Sequence, residues 1–300
     1  MQRDCSTPEA AWRNASGVDA PQIEECWANV DGVRMRYLRS GTGPVLVLLH
    51  GLLGYSFSWR FTIPALARNL TVIAPDMPGA GFSERSEKLD VSFGASAKRL
   101  LNFLDTLGIY DFDLLGTSHG GAVAMMTAVL LQKESSHRLQ RLVLVAPVNP
   151  WSRHGQHLSR ILTFRIVSRL LVLLTPHLPL AHRIALRRLY GDPHRISAGT
   201  LEGYSKPYEV PGSLAYPLRL LSTWNADLRD LRAAIPSIAN VPTLLIWGTR
   251  DAVVDPASAA HLCGKFHECK LVLLESAGHL PYEEVPLEFN RALRSFLLEE

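Results

Sequence analysis

The stretch Phe112 to Thr127, FDLLGTSHGGAVAMMT, decides the fold. Its apolar start (Phe112, Leu114, Leu115) reads as a strand and its Ala/Val/Met-rich end as a helix. Between them Gly116-Thr117-Ser118-His119-Gly120 makes a G-x-S-x-G turn. Strand, tight turn, helix is the setting in which a serine hydroxyl stands above a sheet edge with the free amides of a helix N-terminus behind it. The turn strains the serine backbone, and the chain on either side passes so close that Gly116 and Gly120 leave room where a Cβ would collide.

The flanking sequence supplies the sheet that this turn requires. Val45–Leu49 is a continuous apolar run, the pattern of a strand buried on both faces. Thr71–Ala74, Leu142–Val145, Pro242–Trp247 and Leu271–Leu274 repeat it, and Cys26–Arg39 alternates around Asp31-Gly32 as a hairpin does. Apolar residues fall at helical spacing in Trp59–Leu70, in Phe93–Leu107 (Leu100, Leu101, Phe103, Leu104 and Leu107 inward) and in Pro286–Leu298. Single helices between strands imply right-handed crossovers, so the expected class is α/β with a mostly parallel, doubly wound sheet. From 147 to 239 helical patterns, prolines and aromatics continue without a strong strand. That interval is expected to be a helical cap inserted after the sixth strand, over the strand ends. The expected organisation is a polar N-terminal tail (1–20, Trp12 its only large apolar group), a core of 21–146 and 240–300, and a cap of 147–239.

Composition narrows the classes. A chain of 300 residues with 47% hydrophobic and 20% charged residues can bury a large core. A net charge of +3 is too small to imply nucleic-acid binding. The N-terminus lacks the apolar stretch of a secretory signal, and no run approaches the roughly 18 apolar residues of a membrane span. Cys5, Cys26, Cys263 and Cys269 are scattered without C-x-x-C spacing, so the expectation is reduced thiols in a cytoplasmic protein, with no metal site. No cofactor is called for, and the expected partner is a small molecule.

A serine hydroxyl is a poor nucleophile until a base takes its proton, and the base works best when a carboxylate orients it. Two later strands run out into suitable groups. The strand at 242–247 leads to Asp251 and the strand at 271–274 leads to His279, both just past strand carboxyl ends, where open α/β sheets place their sites. Asp255 is the nearer cap for the helix beginning around Pro256, which frees Asp251 for the histidine. The expected triad is Ser118, Asp251 and His279. The His119 amide, at a helix N-terminus, is a candidate oxyanion donor, while its side chain is expected to turn away from Ser118. His50 is expected to brace the loop at Gly51 by hydrogen bonds, and Asp76 to organise a turn near the site.

From Val45 onward the chain resembles the α/β-hydrolase fold superfamily in its capped, serine-hydrolase branch. The likeness rests on HGLLG (50–54), APDMPGAGFS (74–83), GTSHGG (116–121), WGTRDAVVDP (247–256) and AGHLPYEEVP (277–286). The resemblance implies Ser118 as nucleophile, Asp251 as acid and His279 as general base, with the backbone N–H of Leu52 as the second oxyanion donor beside that of His119. Epoxide hydrolases and haloalkane dehalogenases share the segment around Ser58-Trp59-Arg60, but they attack with a carboxylate where this chain has Ser118.

The interval from Trp151 to Gly191 holds no Asp or Glu but seven arginines (153, 160, 165, 169, 183, 187 and 188) among apolar residues at helical spacing. Such a stretch either packs on the sheet edge with its arginines in water or rests on an anionic lipid surface. Trp151, Tyr204, Tyr208, Tyr216 and Trp224 are candidates for lining a substrate pocket. An apolar cap over a serine points to carboxylic esters of short to medium acyl chain. The alternatives are a C–C bond hydrolase of ring-cleavage products, for which only arginines such as Arg187 or Arg188 could hold a carboxylate, and a non-catalytic binding protein on the same scaffold.

Overall fold

The computed structural model describes residues 4–6, 21–152, 179–213 and 215–298. Trp12 and the arginines at 153, 160, 165 and 169 lie outside them. The strands are β1 (Asp4–Ser6), β2 (Ile23–Val30), β3 (Val33–Ser40), β4 (Val45–Leu49), β5 (Thr71–Pro75), β6 (Phe112–Thr117), β7 (Leu139–Val145), β8 (Thr243–Gly248) and β9 (Cys269–Leu274). They form one sheet in the order β1-β2-β3-β5-β4-β6-β7-β8-β9. Strands β4 to β9 are parallel, while β1 to β3 pair antiparallel along one edge.

The continuous apolar runs are explained by two cores, one on each face of the sheet. Side chains alternate along a strand, so Val47, Leu49, Leu114 and Trp247 enter one core while Leu46, Leu48, Leu115 and Ile246 enter the other. The first is covered by α2 (Phe93–Thr106) and α3 (His119–Lys133), the second by the short α1 (Ile63–Leu66) and by α9 (Pro286–Leu297). Helix α3 has no polar face because it is enclosed by α2, β6, β7 and the 235–238 turn. The helical pattern in 59–70 resolves into a 3-10 turn at Ser56–Trp59 and α1, separated by a non-helical turn.

The insertion follows β7, the sixth of the strands legible in the sequence. Its described part is helical: α4 (Pro179–Leu189), α5 (Thr200–Ser205) and α6 (Ala215–Ala234). After it come α7 (Ala257–Cys263) and the one-turn α8 (Pro281–Glu284).

Two expectations are corrected. Within the stretch read as a tail, Asp4–Ser6 adds an edge strand to β2. The cysteines are not reduced: Cys5 bonds Cys26 across the β1–β2 pair, and Cys263 bonds Cys269 across the α7–β9 connection with its Cα atoms 5.6 Å apart. Chain pairing places each couple within reach, which sequence spacing alone does not reveal. The cytoplasmic placement rested on free thiols and loses that support. Among the described residues no helix is long and apolar enough to cross a membrane.

Candidate active site

Ser118 sits between β6 and α3 with φ 52° and ψ −120°, a left-handed backbone that costs a non-glycine residue of order 1–3 kcal/mol. The surroundings hold it there. Its N–H donates to Val145 O at 2.9 Å, and its carbonyl accepts from Gly121 and Val148. A Cβ on Gly116 would stand 2.3 Å from Gly120 O, and one on Gly120 would stand 2.4 Å from His50 O. These contacts are backbone atoms that cannot move aside, so both glycines are steric requirements of the turn.

Asp251 and His279 meet as the strand ends bring them together. His279 Nδ1 lies 2.8 Å from Asp251 Oδ2, with both side chains buried. Asp251 Oδ1 accepts from the N–H groups of Val253 (2.7 Å) and Val254 (3.0 Å), which fixes the carboxylate. Asp255 accepts from Ala257 N just ahead of α7, although the cap position itself falls on Pro256. With Nδ1–H held by Asp251, Nε2 is the ring nitrogen that this bond leaves over. Ser118 and His279 line the same cavity.

The loop after β4 passes directly over the serine: a Cβ on Gly51 would lie 3.1 Å from Ser118 Cβ. His50, buried, ties this loop to the turn after β5. Its Nε2 accepts from Met77 N at 3.0 Å, so the ring hydrogen is on Nδ1, which donates to Gly51 O at 2.8 Å. In a trans peptide the N–H points opposite the C=O, so holding the Gly51 carbonyl also sets the direction of the Leu52 N–H. Burial lowers the His50 pKa and keeps this neutral tautomer. Asp76 organises the neighbouring turn: wholly buried, it accepts from Ser56 N, Phe82 N and Arg36.

The His119 side chain is removed from the serine. It packs against Phe93 (ring centroids 5.4 Å apart) and stacks on Trp224 (6.1 Å), and its buried Nε2 has no hydrogen-bond partner. Desolvation, with His50 nearby as a lesser cause, pushes its pKa down to about 3, so the ring is neutral at any working pH.

The cavity over Ser118 has a volume of about 350 Å³. Leu186, Leu189, Leu201, Leu221, Leu228 and Val253 make it largely apolar. Of the aromatic candidates, Tyr204, Tyr208 and Trp224 line it. Two do not. Tyr216 lines a separate crevice of about 30 Å³ and covers Gly79, while Trp151 turns away to pack on His261 beneath Lys265. The Asn149 side chain accepts from Trp151 N and Ser152 N, and this turn directs Trp151 outward. Arg187 and Arg188 are exposed and outside the cavity lining, which among the described residues carries no Lys, Arg, Asp or Glu. Sequence reasoning gave no role of their own to Ser58 and Tyr282, which complete one wall. Neither carries a pattern of its own, although Ser58 belongs to the Ser-Trp-Arg segment.

Comparison with known proteins identifies the fold and the family. A profile of the alpha/beta hydrolase family matches residues 46–292. Haloalkane dehalogenase 2 of Mycobacterium tuberculosis is 29% identical over 281 residues, 89% of this chain and 93% of that protein. Human monoacylglycerol lipase ABHD6 is 27% identical over 289 residues, 90% of this chain and 84% of that protein. Among solved structures, epoxide hydrolase CorEH without ligand superposes with a TM-score of 0.81 at 23% identity, covering 93% of this chain and 99% of that one. With its parallel sheet, its helical insertion after β7 and a serine at the strained turn after β6, this chain belongs to the alpha/beta hydrolase family.

Proposed function

We propose that the protein is a serine hydrolase that cleaves neutral carboxylic esters of short to medium acyl chain through an acyl-serine intermediate. The observation that carries this reading is the 2.8 Å bond between His279 Nδ1 and Asp251 Oδ2 beside a strained, cavity-lining Ser118. Ser118 Oγ attacks the ester carbonyl carbon as His279 Nε2 takes its proton, with Asp251 orienting the ring and stabilising the imidazolium. The developing oxyanion accepts from the N–H groups of Leu52 and His119. Collapse breaks the carbonyl carbon–alkoxy bond, and His279 returns the proton to the departing alcohol. Water, deprotonated by His279, then attacks the acyl-serine and releases the acid.

Serine in place of a carboxylate argues against dehalogenase or epoxide hydrolase chemistry, whose ester intermediate forms on a carboxylate nucleophile. The C–C hydrolase reading needs a cation for the substrate carboxylate, and among the described residues the cavity lining has none. The binding-protein reading leaves the fixed Asp251–His279 pair unexplained. Covalent labelling by a fluorophosphonate, together with hydrolysis of a p-nitrophenyl ester series, tests the proposal. Both are expected in the wild type and absent in Ser118→Ala. Turnover that survives Ser118→Ala overturns it.

Exposed Arg183, Arg187 and Arg188 on α4 support peripheral contact with anionic lipid. Co-sedimentation with anionic vesicles at low salt measures it. The compartment goes with the cysteines, since persistent disulfides favour an oxidising one. A free-thiol count on protein prepared without reductant decides between that and the cytoplasm.

A further inference from the structure

One wall of the cavity is polar, and its hydrogens can be assigned by counting. Behind it the buried Glu283 carboxylate meets four donors. Arg60 donates from Nη1 to Oε1 (2.6 Å) and from Nη2 to Oε2 (2.8 Å), Tyr190 donates to Oε2 (2.5 Å), and Tyr204 donates to Oε1. A carboxylate has about four lone-pair sites, so Glu283 is saturated and its charge is matched by Arg60. A phenol has a single hydrogen, and a bond to a carboxylate is stronger than one to a hydroxyl. The Tyr204 hydrogen is therefore spent on Glu283.

Ser58 Oγ lies 3.0 Å from the Tyr204 oxygen. With the phenolic hydrogen committed, the Tyr204 oxygen can only accept, and the single hydrogen of Ser58 goes to that oxygen or to the Tyr282 oxygen behind it. Tyr282, fully buried, engages Ser58 from within the wall. Ser58 and Tyr204 both line the cavity, and each has used its hydrogen elsewhere. What they present to a bound molecule is lone pairs. Ser58 also stands against the oxyanion loop, since a Cβ on Gly54 would lie 3.2 Å from its Oγ. The subsite is therefore close to the reacting carbonyl.

We propose that Ser58 and Tyr204 form an acceptor-only subsite that binds a hydroxyl donor on the substrate, so that esters bearing a free hydroxyl are the preferred class. This rests on the serine-esterase reading. A ketone, ether or carboxylate at the same place finds no hydrogen and leaves its own lone pairs unmet.

The test uses the full chain and matched esters: 2-hydroxyethyl hexanoate against propyl hexanoate, and methyl 6-hydroxyhexanoate against methyl hexanoate. The hydroxyl-bearing member of at least one pair is expected to have a kcat/KM about tenfold higher, the worth of one hydrogen bond. Ser58→Ala is expected to collapse that ratio toward one. Tyr204→Phe removes one of the two acceptors, so the ratio is expected to fall. Ser118-dependent turnover with no hydroxyl preference in either pair overturns the subsite while leaving the esterase reading intact. A preference that survives both substitutions overturns it too. Turnover of no ester at all overturns the esterase reading, and the subsite with it.

Discussion

Replacing His119 by phenylalanine should remove one buried histidine's share of the protein's sensitivity to acid. The ring lies between Phe93 and Trp224, and its Nε2 has no partner to lose. In the unfolded chain histidine titrates near pH 6.5, whereas in the fold His119 is pushed down to about 3. The folded state therefore binds fewer protons between these values. The stability contributed by the neutral ring is complete above about pH 6.5 and is lost progressively as pH falls toward about 3. At about pH 4.5 the unfolded form holds nearly one proton more, which at about 1.4 kcal/mol per pH unit amounts to roughly 2–3 kcal/mol relative to pH 7. Urea unfolding of wild type and His119→Phe at both pH values measures it. The variant's loss on acidification should be smaller by that amount, and any packing cost of the larger ring cancels in the double difference. A double difference below about 0.5 kcal/mol would refute the claim that the fold keeps this ring neutral.

Three further outcomes follow from the same geometry. Asp251→Asn should leave the fold intact and lower kcat by about 10⁴, because the amide fixes the wrong His279 tautomer; the steady-state rate on a p-nitrophenyl ester reads this. Glu283→Ala strands the buried Arg60 and releases Tyr190 and Tyr204, so unfolding free energy should fall by about 3–5 kcal/mol, seen in denaturant titration. Gly120→Ala drives a methyl group to 2.4 Å from His50 O. Fluorophosphonate labelling should then disappear even in protein that remains folded by circular dichroism.

What could be read in advance divides by range. The buried strands were legible because each is a continuous apolar run between turn signals, and the serine turn because its glycines and its flanking strand and helix are local. Asp251 and His279 were legible as residues just past strand ends, since a parallel sheet gathers those ends at one edge. Contacts set by distant chain were not. Asp4–Ser6 is too short to carry a period and exists by pairing with β2. Ser58 meets Tyr204 across 146 residues and Tyr190 meets Glu283 across 93, with no shared pattern to announce either. Trp151 looked like a pocket residue because large aromatics line clefts, yet an asparagine two residues earlier turned the backbone outward.

The way the insertion is fastened restricts how it can move. His279 N donates to Leu189 O at 2.7 Å, and Glu284 receives Gly278 N on one side and Gly191 N and Asp192 N on the other. The end of α4 is thus riveted to the loop that carries the histidine. A swing that lifted this corner would drag the base out of register with the serine. Substrate entry that spares the catalytic centre must therefore leave Leu189–Asp192 in place.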